Sequence, residues 1–161
     1  MTDEILSESL EDYLEAIFHI VSAKQAARAS DISDRLGVKR SSVTGALHAL
    51  AERGLVNYAP YDIVTLTPAG RTEAMDVVHR HGVLRDFFVE VLGMDEHLAD
   101  EAACGMEHHA GKVLLARLAH LAQFLCGSAQ ADEGQWLAHF REFCRQHEVP
   151  AGAGGPEAQG R

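Results

Sequence analysis

The chain has 161 residues and a formal net charge of −10, with 47% hydrophobic and 24% charged residues, which fits a folded soluble chain and excludes collagen-like or wholly disordered classes. So acidic a total argues against a protein that coats nucleic acid by bulk charge, although it leaves room for a local basic patch. Cys104, Cys126 and Cys144 are odd in number and far apart, which gives no disulfide framework and suits a reducing compartment. The opening MTDEILSES has no basic-then-apolar order, and no uncharged apolar run approaches the length of a membrane span. A cytoplasmic protein with no membrane partner is expected.

Charge is unevenly placed. Met1 to Ala23 holds six acidic residues and no Lys or Arg; Lys24 to Tyr58 holds six basic residues against three acidic ones. Leu84 to Ala110 is again acidic, with seven carboxylates and the single Arg85. A short basic segment therefore sits between two acidic ones.

In chain order, Ser9 with Asp12 three residues on reads as an approximate capping box, followed by the helical stripe Leu10, Leu14, Ile17, Phe18 and Val21. Ser30 to Leu36 predicts a short Ser-capped helix stopped by Gly37, and Arg40 to Arg53 a second, stopped by Gly54. After Gly54 the period changes: Leu55–Tyr58 and Ile63–Leu66 are β-rich runs around Pro60-Tyr61-Asp62, a hairpin. Thr67-Pro68 opens a long helix that could run to Leu92, with a kink possible at Gly82. Met94–Ala110, Lys112–Cys126 and Glu133–His147 predict three more helices, and residues 149–161 a disordered tail. The expected fold is mainly α: a winged helix-turn-helix over residues 1–67, then an all-helical domain over 68–148.

Three helices and a hairpin suit DNA, because a recognition helix fits the major groove and its first residues reach phosphates and base edges. Here those residues are Lys39, Arg40, Ser41, Ser42 and Thr44, with Arg28 and Lys24 placed for the backbone. The competing reading is that Ser41 and Ser42 merely cap a helix and the basic residues are solvated. The Pro60-Tyr61-Asp62 tip carries no Lys or Arg, so the wing is at best a weak phosphate binder.

Ten histidines are many for this length. Cys104, Glu107 and His108 stand at i, i+3 and i+4 and share one helical face, a half-site for a divalent metal. Asp12 and Glu15 form an acidic i, i+3 pair, and His79-Arg80-His81 lies in the long helix. Each segment alone has a bland alternative as solvated surface, His79 and His109 above all.

Together the motifs resemble a known family. Ser9-Leu10-Glu11-Asp12-Tyr13-Leu14-Glu15-Ala16-Ile17 looks like the opening helix of the diphtheria-toxin-repressor family of metal-dependent transcription regulators. Arg40–Thr44, Leu66–Gly70, Arg80-His81 and Glu101–His109 resemble it in the same order, over roughly residues 5 to 145. Ending without a third, SH3-like domain resembles the shorter manganese-transport-regulator branch.

The resemblance implies a metal site of Asp12, Glu15, His81, Cys104, Glu107 and His108. Manganese-type members carry a carboxylate where Cys104 stands; iron-type members have the Cys but a Met in place of Asp12. Arg85 and Asp100 occupy two positions of the iron branch's extra ligands. Fe(II) or Mn(II) is the expected cofactor, at one or two ions per protomer, with Zn(II), Co(II) or Ni(II) accepted in vitro. Gathered without metal, Asp12, Glu15, Glu107 and a Cys104 thiolate would repel one another.

The expected function is a homodimeric, metal-activated repressor of iron or manganese uptake genes on a palindromic double-stranded operator. Neither enzymatic activity nor a small-molecule substrate is expected. Leu84, Phe87, Phe88, Val91, Leu114, Leu115, Leu118, Leu121 and Phe124 could line the dimer surface or an intramolecular core. The alternative is a winged-helix regulator sensing an organic ligand or redox state through Cys104. A carboxylate-bridged di-iron oxidase would show two Glu-x-x-His motifs, and the chain has none.

Overall fold

A computed structural model describes residues 6–59, 63–127 and 131–147; the predicted wing tip at 60–62 and the tail lie outside them. Helix α1 spans Glu8–Lys24 and buries Leu14 and Ile17 completely, with Tyr13, Ile20 and Val21 nearly so. It begins after Ser7, and no side chain caps it, so the expected capping box does not form. Asp12 is turned instead toward a distant histidine, described below.

Helix α2 spans Ala29–Leu36. Its first turn is closed by Asp31, not Ser30: the Arg28 N–H donates to the Asp31 carboxylate at 3.1 Å, which also accepts from Lys24 Nζ at 3.2 Å. Gly37, at φ +66°, supplies the left-handed turn that lets α3 (Arg40–Glu52) cross over. Lys39 occupies the N-cap of α3, so Ser41 and Ser42 do not cap it. Val43, Ala46, Leu47 and Leu50 of α3 join Ile32 and the α1 stripe in one core.

Strands β1 (Val56–Asn57) and β2 (Thr65–Leu66) pair antiparallel with Val56 opposite Leu66 and Asn57 opposite Thr65. Ala27 bridges Val64, tying the α1–α2 loop to the hairpin. Helix α4 (Pro68–Asp86) starts at Thr67, whose hydroxyl accepts from Gly70 N–H at 3.0 Å and donates to the carbonyl of Gly54 at 2.7 Å. Gly70 is required sterically, because a Cβ there would lie 1.8 Å from the Leu55 carbonyl oxygen.

The distortion expected at Gly82 sits further on. The α-helix continues through Gly82 to Asp86 and then widens into a π-helical turn over Phe87–Val91, with Leu92 N–H donating to Phe87 C=O at 3.2 Å. Phe88 and Val91 of that turn are buried, Phe88 beside Leu84. Helix α5 (Glu96–Met106) is shorter than expected: Asp95 caps it by accepting from His97 N–H at 2.9 Å, and residues 107–109 form a turn. Helices α6 (Lys112–Gly127) and α7 (Ala131–Gln146) follow.

A second core gathers Leu84, Phe88, Ala99, Ala103 and Leu115. This divides the expected dimer residues: Leu84, Phe88, Val91 and Leu115 are buried within the chain, and Phe87 and Leu118 pack on this core. Leu114, Leu121 and Phe124 are exposed. Helix α4 touches α1 on one side and α5 on the other, which brings three distant segments together. No helix among the described residues is long and apolar enough to cross a membrane.

Candidate metal centre and nucleic-acid face

Helix α1 contributes Glu11, Asp12 and Glu15 to this junction; α4 contributes Arg80 and His81; α5 and the turn after it contribute Cys104, Glu107 and His108. Glu107 is the sole buried charged residue among the described residues, with its side chain 0% exposed. Its Oε2 lies 2.7 Å from His81 Nδ1. Its Oε1 has no hydrogen-bond partner, and His108 Nε2 stands 3.6 Å away. A buried carboxylate oxygen left in this way is costly unless something else satisfies it.

Each histidine also engages a second carboxylate. His81 Nε2 lies 3.0 Å from Asp100 Oδ1; His108 sets Nδ1 2.6 Å from Glu11 Oε2 and Nε2 3.0 Å from Asp12 Oδ1. Two donor groups result, Asp12–Glu107–His108 and Glu15–His81–Glu107, each with its ligating atoms within 4.8 Å of one another and Glu107 shared. Carboxylate oxygens and imidazole nitrogens are the donor set of first-row divalent cations, and Glu107, shared by both groups, keeps one oxygen unpartnered, so these residues fit a metal.

The electrostatics agree. The hydrogen bond to Glu107 is the main cause that raises the His81 pKa to about 9, against the opposing effect of burial and with help from Asp100. Burial pulls the His108 imidazole down, but the hydrogen bond to Glu11 and the charges of Glu107 and Asp12 outweigh it, so its pKa is raised too. Burial raises the Asp12 carboxyl despite His108. A protonated His81 thus supplies positive charge that a cation would otherwise bring.

Cys104 is exposed and belongs to neither donor group, although burial of its sulfur and the charges of Glu107, Asp12, Glu15 and Asp100 push its thiol pKa up. His109, 71% exposed and 3.2 Å from Glu8, stands outside the centre, and His79 is exposed. Spacing within the helices did not point to Glu11 or Asp100 as histidine partners. The one available signal was that Glu11 adjoins Asp12 in the opening motif.

The start of α3 presents Lys39, Arg40, Ser41 and Ser42 to solvent. Thr44 is exposed with its hydroxyl donating to the Arg40 carbonyl at 3.1 Å, and Arg28 is exposed at the start of α2. Lys24 is already paired with Asp31.

Comparison with known proteins bears on both faces. Residues 5–64 match the iron dependent repressor N-terminal DNA binding domain, and residues 67–128 the iron dependent repressor metal binding and dimerisation domain. An uncharacterized HTH-type transcriptional regulator of Methanocaldococcus jannaschii is 38% identical over 114 residues, covering 70% of this chain and 91% of that protein. The HTH-type transcriptional regulator MntR of Geobacillus kaustophilus is 34% identical over 140 residues, covering 87% of this chain and 95% of that one. Among solved structures, the IdeR of T. acidophilum superimposes with a TM-score of 0.63 at 30% identity, covering 69% of this chain and 52% of that one. A manganese-dependent transcriptional repressor in complex with manganese gives 0.62 at 31% identity, covering 71% and 53% respectively. The chain spans about half the length of those two solved chains. With both halves matched in order, the chain belongs to the iron-dependent repressor family of metal-dependent, DNA-binding transcriptional regulators, the family of the diphtheria-toxin repressor, and is not an enzyme.

Proposed function

We propose that this regulator is a cytoplasmic homodimer that represses iron or manganese uptake genes by binding a palindromic operator when a divalent metal is present. The observation that carries the reading is the buried Glu107 carboxylate, one oxygen unpartnered, set between histidines of two segments and carboxylates of α1. We assign Asp12, Glu107 and His108 to one ion and Glu15, His81 and Glu107 to a second, so one or two ions bind per protomer. Cys104, one turn before Glu107, is assigned as a further donor. Fe(II) or Mn(II) suits the set, and Zn(II), Co(II) or Ni(II) would bind in vitro. Bound there, a divalent cation would supply the positive charge that lets the carboxylates stay together.

The residues do the rest. Asp12 and Glu15 lie on the helix that packs against α2 and α3, so holding α1 against α4 and α5 sets where α3 stands relative to the partner protomer. Residues 68–148 carry the His81, Glu107 and His108 share of the metal site and the apolar surface of Leu114, Leu121 and Phe124, which a two-fold partner would cover. Residues 1–67 carry Arg28, Lys39, Arg40, Ser41, Ser42 and Thr44, directed at phosphates and base edges in half-sites spaced by a whole number of DNA turns. Ligand binding then selects the DNA-competent arrangement.

The test selects duplexes from a random DNA pool on the Mn(II)-loaded protein and measures their binding with Mn(II), anaerobic Fe(II) or chelator. Binding that needs metal supports the reading. Equal binding in chelator overturns it and would favour the organic-ligand or redox alternative through Cys104.

A further inference from the structure

Two charged side chains beside the centre, Glu11 and Arg80, belong to neither donor group. Both are largely buried, at 14% and 13% exposed, and their ion pair measures 2.7 Å between Glu11 Oε1 and Arg80 guanidinium. The other oxygen of Glu11 lies 2.6 Å from His108 Nδ1, and a second guanidinium N–H of Arg80 donates to the main-chain carbonyl of Glu107 at 3.1 Å. One arginine on α4 therefore holds α1 through Glu11 and the end of α5 through Glu107.

The chemistry of His108 gives the arrangement a purpose. Its Nε2 faces Asp12 at 3.0 Å and the orphaned Glu107 oxygen at 3.6 Å, while Nδ1 faces away, toward Glu11. Both ring nitrogens face carboxylates, but Glu11 is clamped by Arg80 and belongs to neither donor group, so it serves the Nδ1–H, while Nε2 is the nitrogen on the side of Asp12 and Glu107 that a cation held there would take. Carboxylates placed behind metal-binding imidazoles act in this way, fixing tautomer and ring orientation.

We propose that Arg80 and Glu11 are positioning residues for His108: Glu11 holds the imidazole by Nδ1–H and presents Nε2 to Asp12 and Glu107, and Arg80 anchors Glu11 while tying α1, the helix that packs behind α3, to the segment that carries Glu107 and His108. The inference rests on the metal-centre assignment above. The pair has a looser counterpart at His81, where Asp100 backs Nε2 and Arg85 Nε approaches Asp100 at 3.8 Å, with Asp100 61% exposed. Burial makes the Glu11–Arg80 pair the stronger of the two positioning devices.

The test measures Mn(II) affinity of the full-length protein and its Glu11→Gln, Glu11→Ala, Arg80→Lys, Glu107→Gln and Glu8→Gln variants, with circular dichroism confirming the fold. Glu11→Gln keeps the shape and removes one charge; Glu8→Gln removes one charge from the same helix at a 62% exposed site. Glu11→Gln and Arg80→Lys are expected to weaken Mn(II) about 10- to 100-fold, and Glu8→Gln to leave it unchanged. Nitrogen-15 NMR of histidine-labelled, Zn(II)-loaded wild type supplies a second readout that needs no variant: His108 should show a slowly exchanging Nδ1–H and coordination through Nε2. Coordination through Nδ1, or equal losses in Glu11→Gln and Glu8→Gln, overturns the proposal. Mn(II) binding that is absent in wild type, or unaffected by Glu107→Gln, instead overturns the metal-centre assignment.

Discussion

His81 Nδ1 and Glu107 Oε2 lie 2.7 Å apart across 26 residues of sequence, and this contact joins the long helix to the turn after α5. Because Glu107 is fully buried, its negative charge depends on what faces it, and His81 is the nearest group that can answer. The pair therefore links protonation, metal affinity and stability of the whole junction.

Glu107→Gln, nearly the same shape without the charge, should weaken Mn(II) by more than the about 10- to 100-fold that loss of an outer hydrogen-bond partner costs. His109→Ala should change it little, since His109 is 71% exposed and paired with Glu8. Isothermal titration of both variants checks this. Comparable losses would mean that the wrong face of the turn has been assigned.

Metal-free protein should lose stability as pH rises from near neutrality through about 9. His81 has a folded pKa of about 9 against an ordinary value of 6.5. A raised pKa means the folded chain binds the proton more tightly. Its stabilising contribution is complete below 6.5 and is lost as pH passes through about 9. Urea midpoints in chelator at acidic, neutral and alkaline pH should fall in that window. Glu107→Gln should flatten the profile there, and an unchanged profile would contradict the His81–Glu107 coupling.

Gly70→Ala should destabilise the fold, because the added Cβ would lie 1.8 Å from the Leu55 carbonyl oxygen, a backbone atom that cannot swing aside. Displacing the start of α4 from the Leu55 backbone should cost about 1–3 kcal/mol, as other overpacked contacts do. Thermal unfolding reads this directly. An unshifted midpoint would show that the helix start yields without cost.

Arg40→Ala should weaken binding to selected DNA and lower the slope of log affinity against log salt by about 1, while Mn(II) affinity stays the same. Arg40 is exposed at the start of α3 and belongs to neither donor group. Parallel loss of metal binding would remove Arg40 from the DNA face.

Cys104 can be placed by cobalt. If its thiolate joins the site, the Co(II) complex should show an intense near-ultraviolet charge-transfer band that disappears in Cys104→Ala. Cys104→Glu should shift relative activation toward Mn(II), since a hard oxygen replaces a soft sulfur. A Co(II) complex without the band, at unchanged stoichiometry, would leave Cys104 beside the site rather than in it.

Local sequence determined whatever depends on neighbours within a few residues. Gly37 and Gly54 end α2 and α3 because left-handed backbone falls to glycine, and Thr67-Pro68 opens α4 because a hydroxyl and a missing N–H suit a helix start. The i, i+3, i+4 spacing singled out Cys104, Glu107 and His108 as one helical face, and family motifs drew in Asp12, Glu15 and His81; the helix ends at Met106, and of the three only Glu107 and His108 enter a donor group. Tertiary structure decided what those groups meet. Asp12 had the spacing of a helix cap and instead faces His108 across 96 residues; Glu11 reaches His108 across 97 and Arg80 across 69. The same holds for Leu84 and Leu121, alike in sequence, of which one is buried in the chain and the other exposed. Backbone propensity and capping act within a turn or two, whereas the partner of a charged or apolar side chain is set by which helices α4 packs against, and no spacing along the chain encodes that.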